Sequence, residues 1–207
     1  MQPRMPSPID IDTNRCCVKV KVVMLDRVAV LLLAAGRSSR FGAADKLSHP
    51  WRNKPLARHA GDLLAAMPFA AHLAVIAESN ATPLPEIFDL LPNREPERGL
   101  SHSIALGIAE IGRQDIDACL IALADMPLVP QAHFSALVDA GAASPEAIVA
   151  TGNANRAQVP ALFGRTHFDA LCMLQGDRGA AMLLRNAEII ECDPVLLADF
   201  DQPGDFT

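Results

Sequence analysis

One apolar run, Val28–Ala34, constrains the fold of this chain more than any other segment. It is far shorter than the roughly 20 residues that a membrane-spanning helix needs, and it lacks the polar alternation of a half-exposed strand. A parallel strand that is covered on both faces has this pattern. The run follows Arg27 and so looks like the core of a signal peptide, but it begins late in the chain and basic residues follow it at once. We therefore predict a buried strand.

Strand-like and helix-like patterns then alternate along the chain. Further strands are predicted at residues 72–77, 117–123, 147–150, 160–163 and 187–191. Helices are predicted at residues 55–67, 101–112, 131–140, 166–174 and 178–185. This alternation predicts a Rossmann-like, three-layer α/β/α fold with a mostly parallel sheet. We assign residues 25–207 to that single domain and residues 1–24, with three prolines near their start, to an N-terminal extension that is poorly ordered.

The net charge and the cysteine content exclude some classes of partner and indicate a cellular compartment. The formal net charge is −6, which disfavours a nucleic-acid backbone or an anionic membrane as a partner. The cysteines number five, an odd count, and they show no zinc-ligand spacing. Free thiols in a reducing compartment explain them, so we expect a cytoplasmic protein.

A glycine-rich, basic loop follows the first strand. Gly36 and Gly42 allow the backbone to approach a ligand, and Arg40 and Lys46 supply positive charge. The segment is neither a P-loop nor a dinucleotide fingerprint, but it lies where a strand ends, which is where α/β sheets bind ligands. The candidate nucleotide-binding residues of this segment are Leu33, Ala34, Ala35, Gly36, Arg37, Ser38, Ser39, Arg40, Gly42 and Lys46.

Two other segments carry polar groups at the ends of predicted elements. Asp125 follows a buried strand and precedes a proline turn, so its carboxylate is a candidate ligand for a hard cation, although it could equally begin the turn. Ser101 and Ser103 open a predicted helix after Gly99, and a helix N-terminus favours anions. For these two serines, helix capping and ordinary helix surface remain the stronger alternatives.

These segments and their order along the chain resemble the MobA-like nucleotidyltransferases, above all the molybdenum cofactor cytidylyltransferases. The string 33–47 is similar to the family's N-terminal signature, with one extra residue before Lys46. Asn93 with residues 99–103 resembles the family's nucleotide-contacting turn, residues 176–180 resemble a GDxGA segment, and residues 199–205 resemble the family's acidic end. Residues 157–163 depart from the family, because a histidine is absent and one residue is inserted.

The resemblance implies a nucleotidyltransferase fold and a transfer of CMP from CTP to a molybdopterin-type molybdenum cofactor, with release of pyrophosphate. It implies that Lys46, Arg40 and Asp125 are catalytic and that Asn93, Gly99, Ser101 and Ser103 bind nucleotide. Asp125 and Asp201 would bind Mg²⁺, or Mn²⁺ in its place. Asp199 is the alternative to Asp201, since only one of the two faces inward on an extended segment.

Other functions remain open. The acceptor could be another phosphorylated small molecule, such as a sugar phosphate. The chain could also be a pigment-type oxidoreductase of the same family, or a carrier that delivers molybdenum cofactor to a molybdoenzyme or its chaperone.

Overall fold

The computed structural model describes residues 25–36, 45–78, 82–153, 156–198 and 200. The strands are β1 (Val28–Ala34), β2 (Pro50–Trp51), β3 (Lys54–Pro55), β4 (Ala71–Ala77), β5 (Asp89–Asn93), β6 (Ala118–Leu123), β7 (Ile148–Asn153), β8 (Arg156–Gly164) and β9 (Glu188–Glu191). The α-helices are α1 (Leu56–Ala65), α2 (Leu100–Ile111), α3 (Gln131–Gly141) and α4 (Phe168–Cys172). The predicted extension, residues 1–24, lies outside the described residues.

Seven strands form one sheet in the order β5-β4-β1-β6-β8-β7-β9, and β2 pairs with β3 in a separate hairpin. Strand β8 is antiparallel to β6 and β7, and the other pairings within the sheet are parallel. The mostly parallel α/β fold is therefore confirmed. Within the described part of the chain, no helix is both long and apolar enough to cross a bilayer.

Alternate residues of β1 face two separate hydrophobic clusters. Val28, Val30 and Leu32 pack with residues of α1 and α3, whereas Leu31 and its neighbours on that face pack with α2 and α4. All seven residues of β1 are buried. The strand therefore joins the two helical layers, as its uninterrupted apolar pattern predicts.

Two predicted elements differ in the structure. Residues 178–185 are predicted as a helix, but residues 177–182 form turns and Leu183–Asn186 forms a 3₁₀ turn, so this prediction is wrong. Gly176 and Gly179 have φ values of +77° and +54°, which break a right-handed helix. Strand β5 was not predicted, because Pro92 interrupts its apolar pattern; proline is tolerated there since β5 is an edge strand.

Gly107 explains how α2 lies so close to the sheet. A Cβ atom at this position would lie 2.3 Å from Cδ1 and 2.7 Å from Cδ2 of Leu31, whose side chain is fully buried in β1. The glycine lowers helix propensity, but it lets the helix backbone pack directly on the central strand.

We expect Gly107→Ala to destabilise the protein by about 1–2 kcal/mol, because overpacking a core costs about 1–3 kcal/mol and outweighs the helix-propensity gain of about 1 kcal/mol. Denaturant unfolding measures the effect. In a Leu31→Ala background the clashing atoms are gone, so the same substitution should stabilise. A destabilising effect of equal size in both backgrounds would contradict this account of the packing.

Candidate active site

The carboxyl ends of the parallel strands bring the predicted site residues to one edge of the sheet. Strands β1, β4 and β6 are in parallel register, so Gly36 and Asp125 follow neighbouring strand ends. The backbone N–H of Ala124 donates to the carbonyl oxygen of Leu33 at 3.1 Å, which ties the two ends together. The edge is thus the topological position where α/β proteins bind ligands.

Lys46 and Asp125 form an ion pair across this edge. Lys46 Nζ donates to Asp125 Oδ2 at 2.8 Å, and the two side chains are only 10% and 23% exposed. Lys46 begins a 3₁₀ turn that Asp45 caps, since the Asp45 carboxylate accepts from Leu47 N at 3.1 Å and from Ser48 Oγ at 2.7 Å. Two residues that were predicted separately as phosphate-binding and metal-binding therefore meet in one site.

The second oxygen of Asp125 meets the requirement for a cation ligand. Asp125 Oδ1 is buried and has no hydrogen-bond partner among the described residues. A buried carboxylate oxygen without a partner is costly, and a hard cation would satisfy it. The described ranges contain no cluster of three or more potential metal ligands. Asp125 therefore fits a site at which one or two carboxylates share a metal with phosphates, which is the usual mode for Mg²⁺.

Phe200 packs beside Asp125. Its backbone N–H donates to the Asp125 carbonyl oxygen at 3.2 Å, and its ring, which is 6% exposed, meets Trp51 edge-on at a centroid distance of 4.9 Å. Sequence analysis missed this residue, although a lone aromatic between two aspartates was an available signal. Those two aspartates, Asp199 and Asp201, lie outside the described residues.

Gly36 leaves room beside the ion pair. Among the described residues, no heavy atom lies within 4 Å of the position that a Cβ atom on Gly36 would occupy, and its φ is not in the left-handed region. The backbone itself does not require glycine here. The open space is therefore consistent with close approach of a ligand to the main chain.

The start of α2 is built around buried polar groups. Asn93 is fully buried, donates through Nδ2 to Ser103 Oγ at 3.0 Å, and accepts from Glu95 N at 2.9 Å. Ser101 does not cap the helix as proposed, because the cap position is Gly99 and no side chain caps it. Instead, Ser101 Oγ is buried and without a partner in the described part of the chain. Asn93 and Ser103 thus stabilise the turn, whereas the hydroxyl group of Ser101 takes no part in it.

Gly99 is fixed by the neighbouring turn that follows α4. Its φ is +83°, and a Cβ atom on it would lie 2.0 Å from Asp177 Oδ1. Ser101 N also donates to the Gly176 carbonyl oxygen at 3.2 Å. The 176–180 segment therefore packs on the start of α2, and only glycine at position 99 allows this contact.

Strand β8 holds the segment that departs from the family pattern. The pairing of β7 with β8 passes from Ala150 opposite Ala161 to Thr151 opposite Gln158, so Val159 and Pro160 form a bulge. Thr151 Oγ1 donates to the Pro160 carbonyl oxygen at 2.6 Å. The bulge accommodates the insertion at the same edge of the sheet as the ion pair.

His133 supports this bulge. Its Nε2 lies 2.7 Å from Thr151 Oγ1, and because the threonine hydroxyl donates to Pro160, the imidazole donates to Thr151. Burial lowers the pKa of His133, so the ring is neutral near neutral pH. His59 behaves alike: burial lowers its pKa, and its Nε2 lies 2.9 Å from the Trp51 carbonyl oxygen. Both histidines therefore make structural hydrogen bonds.

Part of the predicted nucleotide loop lies outside the described residues, namely Arg37, Ser38, Ser39, Arg40 and Gly42. Of the remaining predicted loop residues, Leu33, Ala34 and Ala35 are buried, and Gly36 is exposed. The described residues therefore bring together Gly36, Lys46 and Asp125, and place Asn93, Ser101 and Ser103 around the start of α2.

A mostly parallel sheet with polar residues at the carboxyl ends of its strands is the architecture of α/β proteins that bind ligands at that edge. The chain belongs to the MobA-like NTP transferase domain family, whose model matches residues 30–192. It is therefore a member of a nucleotidyltransferase family.

Known proteins resemble the chain over most of its length. It is 27% identical over 197 residues to the purine catabolism protein PucB of Bacillus subtilis (strain 168), covering 85% of this chain and 92% of that protein. The crystal structure of Rv0371c from Mycobacterium tuberculosis H37Rv matches with a TM-score of 0.76 at 24% identity, over 87% of this chain and 95% of that one. Its complex with manganese matches with a TM-score of 0.72 at 21% identity, over 87% and 96%.

A nucleotidyl transferase from Methanothermobacter thermautotroptrophicus matches with a TM-score of 0.72 at 18% identity, over 87% of this chain and 94% of that one. These structural likenesses agree with the sheet order and layers described above.

We expect Gly36→Ala to fold as the wild type does and to bind nucleoside triphosphate about tenfold or more weakly. The added methyl group meets no described atom, but it occupies the space that a ligand would enter, and one such group changes affinity by roughly 10–200-fold. Thermal unfolding and equilibrium binding measure the two effects. Gly99→Ala is the control and should lower the melting temperature. Unchanged triphosphate affinity in Gly36→Ala would show that this space is not part of the binding site.

Proposed function

We propose that this protein transfers CMP from CTP to a molybdopterin-type molybdenum cofactor and releases pyrophosphate. The observation that carries the proposal is the Lys46–Asp125 pair at the strand edge beside Gly36, because it combines a phosphate-binding cation with a metal-binding carboxylate. The family and the resemblance of residues 33–47 to the cytidylyltransferase signature support the same reaction.

The residues of this chain serve mainly to position two anions, the triphosphate of CTP and the phosphate of the acceptor. The acceptor phosphate oxygen bonds to the α-phosphorus of CTP in line, and the bond from that phosphorus to the bridging oxygen of the β-phosphate breaks as pyrophosphate leaves. An acceptor phosphate is already anionic near neutral pH, so no general base is needed. Lys46 and Arg40 stabilise the triphosphate and the leaving group. A charge pair at about 4 Å is worth roughly 4 kcal/mol at an effective dielectric of 20, so one lysine has a large effect on rate.

Asp125 and Asp201, with Asp199 as the alternative to Asp201, would hold the divalent metal. The unpartnered Oδ1 of Asp125 fits this role, and Phe200 anchors the main chain between the two aspartates to Asp125. The metal would supply charge neutralisation to the phosphates. Mg²⁺ is the expected ion. The manganese complex of the mycobacterial relative supports a divalent ion of this type and keeps Mn²⁺ as the alternative.

The resemblance to the cytidylyltransferases supports a molybdopterin-type acceptor. The relative PucB is named for purine catabolism, which states a process and not an acceptor. The bulge at Val159 and Pro160 alters the strand at which the family pattern has its histidine, so this segment is expected to shape acceptor recognition. We expect the enzyme to act in the cytoplasm, with a molybdoenzyme or its chaperone as the recipient of the product.

Pyrophosphate release from four nucleoside triphosphates, measured with molybdopterin-type cofactor and with sugar phosphates, tests this function. We expect release only with a phosphorylated acceptor, and Asp125→Asn should abolish it while the protein still folds, since residue 125 lies on a turn; the melting temperature should fall because Lys46 loses its counter-ion. Near wild-type release by Asp125→Asn would refute the metal assignment. Release with a sugar phosphate but not with the molybdopterin-type cofactor would show that the acceptor is a sugar phosphate. Binding of cofactor without release indicates a carrier, and oxidation of a pyridine nucleotide indicates an oxidoreductase.

The nucleotide preference is expected to depend on Ala35. Relatives that use CTP resemble the Ala34-Ala35-Gly36 form of this chain, whereas those that use GTP more often have glycine at the middle position. Ala35 is buried in the hydrophobic cluster between β1 and α2. Its methyl group would therefore affect the nucleotide base indirectly, through the side of the binding site. A methyl-sized difference is worth roughly 10–200-fold in specificity, and for this indirect contact we expect the lower value.

We expect CTP to be preferred to GTP, and Ala35→Gly to raise the kcat/KM for GTP relative to CTP by about tenfold, because a two-ring base gains more from the space. The measurement is kcat/KM for both nucleotides with the same acceptor. Ala109→Gly, on the exposed face of α2, is the control for a general effect of losing a methyl group. A wild-type preference for GTP would overturn the base assignment and leave nucleotidyl transfer standing.

A further inference from the structure

The carboxylate of Asp125 is a potential partner for two cations, the ammonium group of Lys46 and a divalent metal ion. Its Oδ2 accepts from Lys46 Nζ at 2.8 Å, and its Oδ1, buried and unpartnered within the described ranges, fits a divalent ion. Both oxygens belong to one carboxylate, so the ammonium and the metal draw on the same negative charge of Asp125, whichever of Asp201 and Asp199 is the second metal ligand.

Because Lys46 and Asp125 are largely buried, the binding of a second cation to the Asp125 carboxylate is unfavourable. The side chains of Lys46 and Asp125 are 10% and 23% exposed, so solvent and salt screen their charges weakly. An ion that binds Oδ1 meets a carboxylate whose charge the ammonium already offsets, and it also meets repulsion from that ammonium. The phosphates of a nucleotide supply the missing negative charge for both cations.

We propose that Lys46 is the resident counter-ion of Asp125 and weakens the binding of a divalent cation to the protein alone, so that the metal is held firmly only together with a triphosphate. The inference rests on the proposed function, in which Asp125 is a metal ligand. It assigns to Lys46 a role in the order of binding, in addition to its contact with phosphate. By linkage, the metal and the nucleotide then strengthen each other's binding.

A second lysine–aspartate pair in the same chain provides a matched control. Lys54 Nζ lies 2.7 Å from Asp62 Oδ2, with side chains that are 38% and 34% exposed. The pair joins β3 to α1, and neither residue belongs to the candidate site. Replacing Lys54 removes the same charge from the protein without changing the counter-ion of Asp125.

The experiment titrates the full-length protein with Mn²⁺ in the absence of nucleotide, at constant ionic strength, and follows free Mn²⁺ by electron paramagnetic resonance. Lys46→Met should tighten Mn²⁺ binding by about tenfold, equivalent to about 1.4 kcal/mol. Lys54→Met should leave the dissociation constant unchanged. Asp125→Asn should remove the site in the wild-type and in the Lys46→Met backgrounds.

Lys46→Met leaves a buried carboxylate without its cation and is therefore expected to lower the melting temperature. Mn²⁺ should then raise that temperature more in the variant than in the wild type, since it binds the folded variant more tightly. Lys46→Gln keeps a hydrogen-bond donor without the charge, and it should show the same tightening if the methionine variant does not fold.

Mn²⁺ affinity that is unchanged or weaker in both Lys46 variants would overturn the inference. In that case, Mn²⁺-dependent pyrophosphate release by the wild type, lost in Asp125→Asn, would still uphold the proposed function. Equal Mn²⁺ binding by the wild type and by Asp125→Asn would refute both, because Asp125 would then not be a metal ligand.

Discussion

The burial of β1 on both faces is the constraint on which the rest of the structure depends. The strand pairs with β4 on one side and β6 on the other, and its two faces enter separate hydrophobic clusters. Because all three strands are parallel, their carboxyl ends lie at one edge, and residues far apart in the sequence converge there. The close packing of α2 on Leu31, which Gly107 permits, fixes the position of the helix start beside the same edge. The core thereby determines where the site can form.

The largely buried Lys46–Asp125 pair is a feature that the surrounding structure has to support. Withdrawing two charges from water costs free energy that one contact does not fully return, so such a pair is weak evidence for stability. Local devices hold it in place: Asp45 caps the turn that begins at Lys46, and Phe200 bonds to the backbone of Asp125. The second carboxylate oxygen of Asp125 has no hydrogen-bond partner within the described ranges, so these contacts leave it unsatisfied.

The sequence predicted the parts of the fold that depend on local pattern. Strand β1 has the predicted bounds because an uninterrupted apolar run between charged segments has few alternative structures. Strand β5 was missed because its tolerance of Pro92 depends on its place at the sheet edge, and the turns at 177–182 were read as helix because the conformations of the two glycines depend on contact with α2. In the site, Gly36, Lys46 and Asp125 carry recognisable chemistry. Asn93 was singled out through the family resemblance, but its bond to Ser103 and the packing of Phe200 on Trp51 are tertiary contacts that no local sequence pattern specifies.

The two halves of the edge differ in how they are built, and this difference bears on specificity. On the nucleotide side, β5, β4, β1 and β6 are paired in continuous parallel register, so a one-residue insertion within a strand would turn its side chains to the other face. Strand β8 is antiparallel, and its bulge at Val159 and Pro160 accommodates an insertion, with Thr151 and His133 bonded around it. A bulge re-aims the strand beyond it, here residues 156–158, without disturbing Lys46 or Asp125. Under the proposed function, the fold can therefore change the acceptor that it recognises while it keeps the same phosphate chemistry, and residues 156–160 are the segment that would set the acceptor preference.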